Sequence, residues 1–258
     1  MPTRFSRRAL EQGLTTRFVG RRLEYRSALR STQNLARDLA EAGAPEGTVV
    51  LAGRQTAGRG RLGRSWVSPH GGLYFTVVLR PAVQQLRALT IIAALAVARG
   101  IEAQTGLACS LKWPNDVLLG ERKVSGILIE SRLTGEQVDY MLVGIGVNVN
   151  ADLTGHPEIA SMATSLMMEV GREVSREAVA AAILNEMEAL YLAAQAGQPL
   201  HQEWRARLGT LGRQVCVRVG EEVEEGLAED VDAEGSLILR RADGSRVTIT
   251  AGDVTLRG

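Results

Sequence analysis

The chain has 258 residues, 45% hydrophobic and 23% charged, with a net charge of +1, proportions of a globular protein large enough for a full core, built as one large unit or one large and one small. No apolar run reaches the length of a membrane span, and the Arg-rich start has no apolar stretch after it, so a soluble, cytoplasmic protein is expected, with no membrane partner. Cys109 and Cys216 lie far apart in strand-like segments and read as buried thiols, while His70, His156 and His201 lack metal-ligand spacing, which speaks against zinc.

Charge is unevenly placed. Residues 1–80 hold 14 Lys and Arg against 5 Asp and Glu, a net of +9, so the remainder carries −8. Few aromatics interleave with this basic third and no helix-turn-helix pattern precedes the first clear element, so small anionic ligands fit better than nucleic acid, and no specific DNA partner is expected. Residues 1–26 read as a solvated arm or a short first helix, without assigned function.

"STQNLARDLAEAG" has an N-cap in Ser31 or Thr32, leucines four apart and a glycine stop, so a helix is predicted. Strands follow at 48–54 and 73–79. "LRALTIIAALAVARGIEAQTG" is apolar nearly all round, hence a helix buried against a sheet. "CSLKWPNDVLL", "VSGILIESRL" and "VDYMLVGIGVNV" are three β-rich runs separated by turns. Residues 155–209 read as helical, with "SREAVAAAILNEMEALYLAAQAG" starting at a cap on Ser175. From 211 onward, short strands alternate with Gly turns in under fifty residues, the pattern of a small β-barrel and a second domain. The fold class expected is α+β: a mixed sheet packed by helices, then a small all-β unit.

Between the first two strands lies "AGRGRLGRSW", residues 57–66, which fits both G-x-G-x-x-G and a near P-loop. Both motifs demand a following helix, because the phosphate sits on its N-terminus. Here Pro69 and the Gly71-Gly72 pair break any helix, no Asp or Glu stands between Glu46 and Glu102 to hold a ribose, and Arg64 replaces the P-loop lysine. The loop therefore reads as an anion-wrapping device between strands. Arg59, Arg61 and Arg64 offer bidentate donors, and Gly58, Gly60 and Gly63 expose backbone amides. So much like charge and glycine predicts a loop that orders only when its anion arrives.

"KWPND", residues 112–116, packs a cation, an indole, a rigid turn, an amide and a carboxylate into five residues; a plain turn explains Pro-Asn-Asp alone, but not the company it keeps. "RKVSGILIE" sets Lys123 at the start of an apolar strand near Gly126, and a strand glycine often marks close approach by a ligand or another backbone. "GIGVNVN" repeats the device at Gly144 and Gly146 and delivers Asn148 at a strand end.

In this order and at these spacings, "GRGRLGRSW", "KWPND", "KVSGILIE" and "GIGVNVN" resemble bacterial biotin protein ligases, over roughly residues 27–258, with "STQ" similar to the family's Ser-Thr-Asn and the terminal β region similar to its SH3-like domain. The resemblance implies a catalytic ligase domain at 27–210 and an SH3-like domain at 211–258. It implies activation of biotin by ATP and Mg2+ to biotinoyl-5′-AMP, then transfer to one lysine of a biotin carboxyl carrier protein. It also implies residue roles. Ser31, Thr32, Gln33 and Gln55 would bond the ureido ring, with Gln33 departing from the usual Asn. Arg59, Gly60 and Arg61 would close over biotin and adenylate, and Lys123 would hold the carboxylate and then the phosphate. Lys112 would serve the ATP phosphates, Arg61, Arg64 and Asn115 would also bind ATP, Trp66 and Asn148 would meet the adenine, and Asp116 the magnesium or the incoming lysine. Only thirty residues precede "STQ", so a ligase without the DNA-binding domain of some relatives is expected; homodimerisation is left open. A lipoate or octanoate ligase or transferase shares the fold and stands as the alternative. An RNA-binding reading is weakened by eight acids between Glu221 and Glu234.

Overall fold

The β-rich runs of the first 147 residues collect into one seven-stranded sheet, in a computed structural model that describes residues 5–256. Its strands are β1 (Leu23–Arg26), β2 (Val49–Ala52), β3 (Leu73–Leu79), β4 (Ser110–Lys112), β5 (Asp116–Leu119), β6 (Arg122–Thr134) and β7 (Gln137–Val147), ordered β1-β2-β3-β7-β6-β5-β4. β1 and β2 run parallel, and all other neighbours antiparallel. Seven helices accompany them among the described residues: α1 (Arg7–Gly13), α2 (Thr32–Glu41), α3 (Ala88–Thr105), α4 (Pro157–Ala160), α5 (Leu166–Val170), α6 (Arg176–Gln195) and α7 (His201–Ala206).

Successive strand residues point to opposite faces, so the sheet builds two different surfaces. Val49, Leu51, Phe75, Val77, Ile127, Val143 and Ile145 face the main core with α3 and α6. α3 is apolar all round because the sheet flanks one side and α6 another; contrary to the expectation from its uninterrupted apolar run, the whole 18-residue helix is long and apolar enough to cross a membrane, and its hydrophobic residues pack in this core. The opposite face is covered only at one end, where Ala36 and Ala40 of α2 pack on Val50, Val78 and Leu142. The rest of that face is free to hold a site.

A second sheet of β8 (Gln214–Val219), β9 (Glu222–Val231), β10 (Leu237–Arg240), β11 (Arg246–Ile249) and β12 (Asp253–Leu256) is antiparallel throughout, ordered β11-β10-β9-β8-β12. Its inward residues Val215, Val217, Leu237 and Leu239 join the same apolar cluster as Trp113 and Trp204. The indole N–H of Trp113 donates to the Gly235 carbonyl at 2.9 Å, fixing the "KWPND" turn to this sheet. The Trp113–Pro114 peptide is cis.

Two expectations are sharpened. Of the two readings of the N-terminal segment, residues 5–26 follow the short first helix, α1, rather than the solvated arm: Leu10 and Val19 are fully buried, and β1 belongs to the main sheet. Glu188 of α6 secures this segment by accepting the backbone N–H groups of Arg17, Phe18 and Val19 at 2.5, 2.9 and 2.8 Å. Residues 155–209 are helical in four separate pieces, of which α5 and α6 end where Gly171 and Gly197 adopt left-handed φ of 76° and 78°.

Candidate active site

The floor of the site is a stripe of missing side chains. Gly126 of β6 lies opposite Gly146 of β7, and Leu128 opposite Gly144, all on the face α2 leaves uncovered. A Cβ at Gly146 would come within 2.5 Å of the Trp66 Nε1, one at Gly126 within 2.8 Å of the same indole, and one at Gly144 within 2.9 Å of Gln33 Nε2. The strand glycines therefore admit close approach, as their spacing predicted, and the groups that approach are the chain's own Trp66 and Gln33.

One end is built by α2. Ser31 caps the helix by accepting from the Gln33 N–H, and Thr32 donates through its N–H and hydroxyl to Gln55 Oε1 at 2.8 and 3.2 Å. Gln55 in turn donates to Ser68, and Thr76 of β3 donates to the Thr32 hydroxyl. Gln33 donates to the Leu128 carbonyl at 3.0 Å, which leaves its Oε1 buried without a hydrogen-bond partner. A buried amide oxygen without a partner costs free energy unless a ligand donor meets it.

The Gly-Arg loop forms the roof. Arg59 bridges Ser65 in antiparallel fashion, the Gly60 N–H donates to the Arg64 carbonyl at 2.7 Å, and Leu62 takes φ 53° at the tip, so the loop is a closed hairpin. Its like charges are paired with acids from distant strands. Arg59 meets Glu130 bidentately at 2.5 and 3.1 Å, and Arg64 meets Asp253 of β12. Arg61 donates to Asn115 Oδ1 at 3.2 Å and to the Gly252 carbonyl at 3.1 Å, with Asp253 3.9 Å away. Burial lowers the Arg61 pKa, opposed by Asp253 and Asp116.

The "KWPND" turn and Lys123 close the far end. Lys123 Nζ lies 2.6 Å from Asp116 and 5.1 Å from the Trp66 ring centre, so an ammonium, a carboxylate and an indole meet at one point. Asn115 donates to the Ile127 carbonyl at 2.7 Å, locking the turn onto β6. Burial lowers the Lys112 pKa, with Asp116 opposing and Lys123 adding to the effect. Neither cysteine enters: burial pushes the Cys109 thiol up to about 12, and Cys216 stands on β8.

These groups surround one cavity that opens to solvent at its mouth. Ser31, Thr32, Gln33, Gln55, Arg59, Gly60, Arg61, Arg64, Trp66, Asn115, Asp116 and Lys123 all line it. Lys112 stands behind this lining, within the field of Asp116 and Lys123. Asn148 is not on it: its side chain is buried and donates to the Thr164 carbonyl at 3.0 Å. Sequence reading missed Asp253, which lines the cavity from the second sheet, and gave no role to Glu130 although it ends "KVSGILIE", because an acid in an alternating strand looks like a solvated charge. No group of three or more His, Cys, Asp or Glu able to hold a metal occurs among the described residues.

Residues 25–148 match the model of the Biotin/lipoate A/B protein ligase family, and residues 210–257 that of the Biotin protein ligase C terminal domain. The chain is 39% identical over 225 residues to the biotin–[acetyl-CoA-carboxylase] ligase of Paracoccus denitrificans, covering 81% of this chain and 90% of that protein. It is 36% identical over 261 residues to the bifunctional ligase/repressor BirA of Bacillus subtilis, covering 99% of this chain and 80% of that protein. The biotin protein ligase of Aquifex aeolicus, solved in complex with biotin and ATP, superposes with a TM-score of 0.80 at 33% identity, covering 92% of this chain and 99% of that one.

Proposed function

The chain belongs to the biotin protein ligase family, and on that premise we propose that it activates biotin with ATP and ligates it to a lysine of a biotin carboxyl carrier protein, in the cytoplasm, where ATP and carrier meet. The biotin carboxylate attacks the α-phosphorus, pyrophosphate leaves, and the carrier amine then attacks the acyl carbon, losing a proton as AMP departs. The first step brings two anions together, so fixed cations must stand where charge gathers.

The cavity is polarised for this. At the α2 end, the unpaired Gln33 Oε1 is suited to accept from a ureido N–H, with Ser31, Thr32 and Gln55 around it. At the other end stands the Lys123–Asp116 pair, with Lys112 behind it. The single observation that carries the reading is this placement of the partnerless Gln33 Oε1 at one end, and the Lys123–Asp116 ion pair at the other, of one glycine-floored trough.

Lys123 turns from Asp116 to the carboxylate and then to the phosphate formed from it. Asp116, released, serves the incoming lysine or a magnesium ion. Mg2+ takes one or two carboxylates and completes its shell with water and substrate phosphates, so Asp116, once Lys123 turns away, would be the carboxylate for an ion delivered with ATP. When bound, the ion neutralises phosphate charge. Trp66 beside the trough offers a face for the adenine, and Arg61 with Gly60 covers the mixed anhydride from water. The lipoate alternative is not favoured, because the second domain matches that of biotin ligases.

The test is incubation with ATP, magnesium, labelled biotin and a carrier domain, with lipoic and octanoic acids as competitors. Biotin on the carrier, unaffected by either acid, is the expected result; acylation by lipoate or octanoate instead overturns the reading. Lys123→Ala is expected to lose biotin-dependent pyrophosphate release by about tenfold or more while staying folded, since a charge-assisted bond in a desolvated site is worth about 1.5–3 kcal/mol. Unchanged release removes Lys123 from the mechanism.

A further inference from the structure

Arg59 lines the cavity, yet its charge is already engaged. Both of its Nη atoms reach Glu130, at 2.5 and 3.1 Å, and Glu130 Oε2 also accepts from Arg37 of α2 at 3.0 Å. Arg59 touches α2 a second time through Asn34, at 3.4 Å. Glu130 stands two residues beyond Leu128, whose carbonyl holds Gln33. One carboxylate thus ties three pieces of the site together: the ascending limb of the Gly-Arg loop, the helix whose N-terminus presents Ser31, Thr32 and Gln33, and strand β6. No Asp or Glu between residues 46 and 102 could do this locally.

A guanidinium paired bidentately with a carboxylate has little charge left for a ligand anion. We propose, resting on the ligase reading above, that Glu130 is a positioning residue, acting through Arg59 to hold the loop at a fixed depth over the biotin end of the cavity. Arg59 itself shapes that cavity, and the neutralising cations are Lys123 and Lys112. The pair is partly exposed, with side-chain exposures of 22% for Glu130 and 39% for Arg59, so its effect is on affinity and is moderate.

Glu130→Gln keeps the shape and removes the charge. The expected result is a rise in the KM for biotin of about two- to fivefold, with kcat at saturating biotin and the KM for ATP unchanged. Glu130→Asp, which keeps the charge, is expected to recover part of the loss. Because Glu130 acts through Arg59, Glu130→Gln combined with Arg59→Gln should bind biotin no worse than Arg59→Gln alone. Multiplying effects in the double variant, or a fall in kcat for Glu130→Gln, overturn the proposal. A second readout needs no activity: trypsin cleavage of the loop is expected to quicken in Glu130→Gln without any ligand, and equal cleavage counts against the clamp. A wild-type chain inert toward biotin would sink the ligase reading instead, while the trypsin comparison still decides the clamp.

Discussion

At the scale of single residues, the trough works because three strand positions have no side chain. Gly146 is the most demanding of these, with Trp66 Nε1 and Cε2 at 2.5 and 2.6 Å from where a Cβ would lie. A methyl group there forces the indole away from both the floor and Lys123. Trp66 sits on the open face of the sheet, so the ring can move without breaking the core. Gly146→Ala is therefore expected to cut adenylate formation by about tenfold or more, roughly 1.4 kcal/mol in the barrier, while the melting temperature shifts by only a few degrees. Steady-state kinetics and a thermal melt check both halves; full activity would mean that the place of Trp66 is immaterial. The glycines, Lys123 and the "KWPND" side chains were legible because unusual residues interrupt a regular strand pattern. The partners of the arginines were not. Glu130 and Asp253 meet Arg59 and Arg64 only through folding, and an acid in an alternating strand looks like any solvated charge.

Among the elements, those with strong periodicity were readable: α2 with its Ser31 cap, β3, α3 ending at Gly106, and α6 capped by Ser175. β1 was not, because four residues in an Arg-rich stretch show no alternation, and its parallel partner β2 lies beyond an intervening helix. What holds the segment before β1 is a long-range contact. The Glu188 carboxylate, buried on α6, satisfies three successive N–H groups that no regular element would satisfy. Removing it strands the buried Val19 N–H and leaves the part-buried Arg17 and Phe18 donors without their partner. Glu188→Ala is expected to destabilise the protein by about 3 kcal/mol or more, and Glu188→Gln by less, since one amide oxygen still accepts. Urea unfolding measures this; a loss under about 1 kcal/mol would show that the N-terminal segment contributes little to the fold.

At the scale of the whole molecule, the two sheets are one working unit. The C-terminal strands complete the main apolar cluster, Trp113 hangs from Gly235, and β12 brings Gly252 and Asp253 to the roof of the cavity. Point substitutions therefore interrogate the second sheet better than its deletion, which would expose core. Arg61 is the residue that spans the join, reaching from the loop to Asn115 on one sheet and to Gly252 and Asp253 on the other. A roof pinned on both sides retains a mixed anhydride and keeps water from it. Without that pin, adenylate is expected still to form, because Lys123 and Lys112 are untouched, and the activated acyl group to leave before a carrier arrives. Arg61→Gly is thus expected to biotinylate exposed lysines of a bystander protein when given ATP and biotin, so that specificity fails before activity does. Asp253→Asn loosens the same pin from the other side, and is expected to do so to a smaller degree because the Gly252 and Asn115 contacts of Arg61 remain. Blotting the bystander for biotin decides it: strict carrier specificity at the wild-type rate in both variants would mean that the junction of the two sheets does not guard the intermediate.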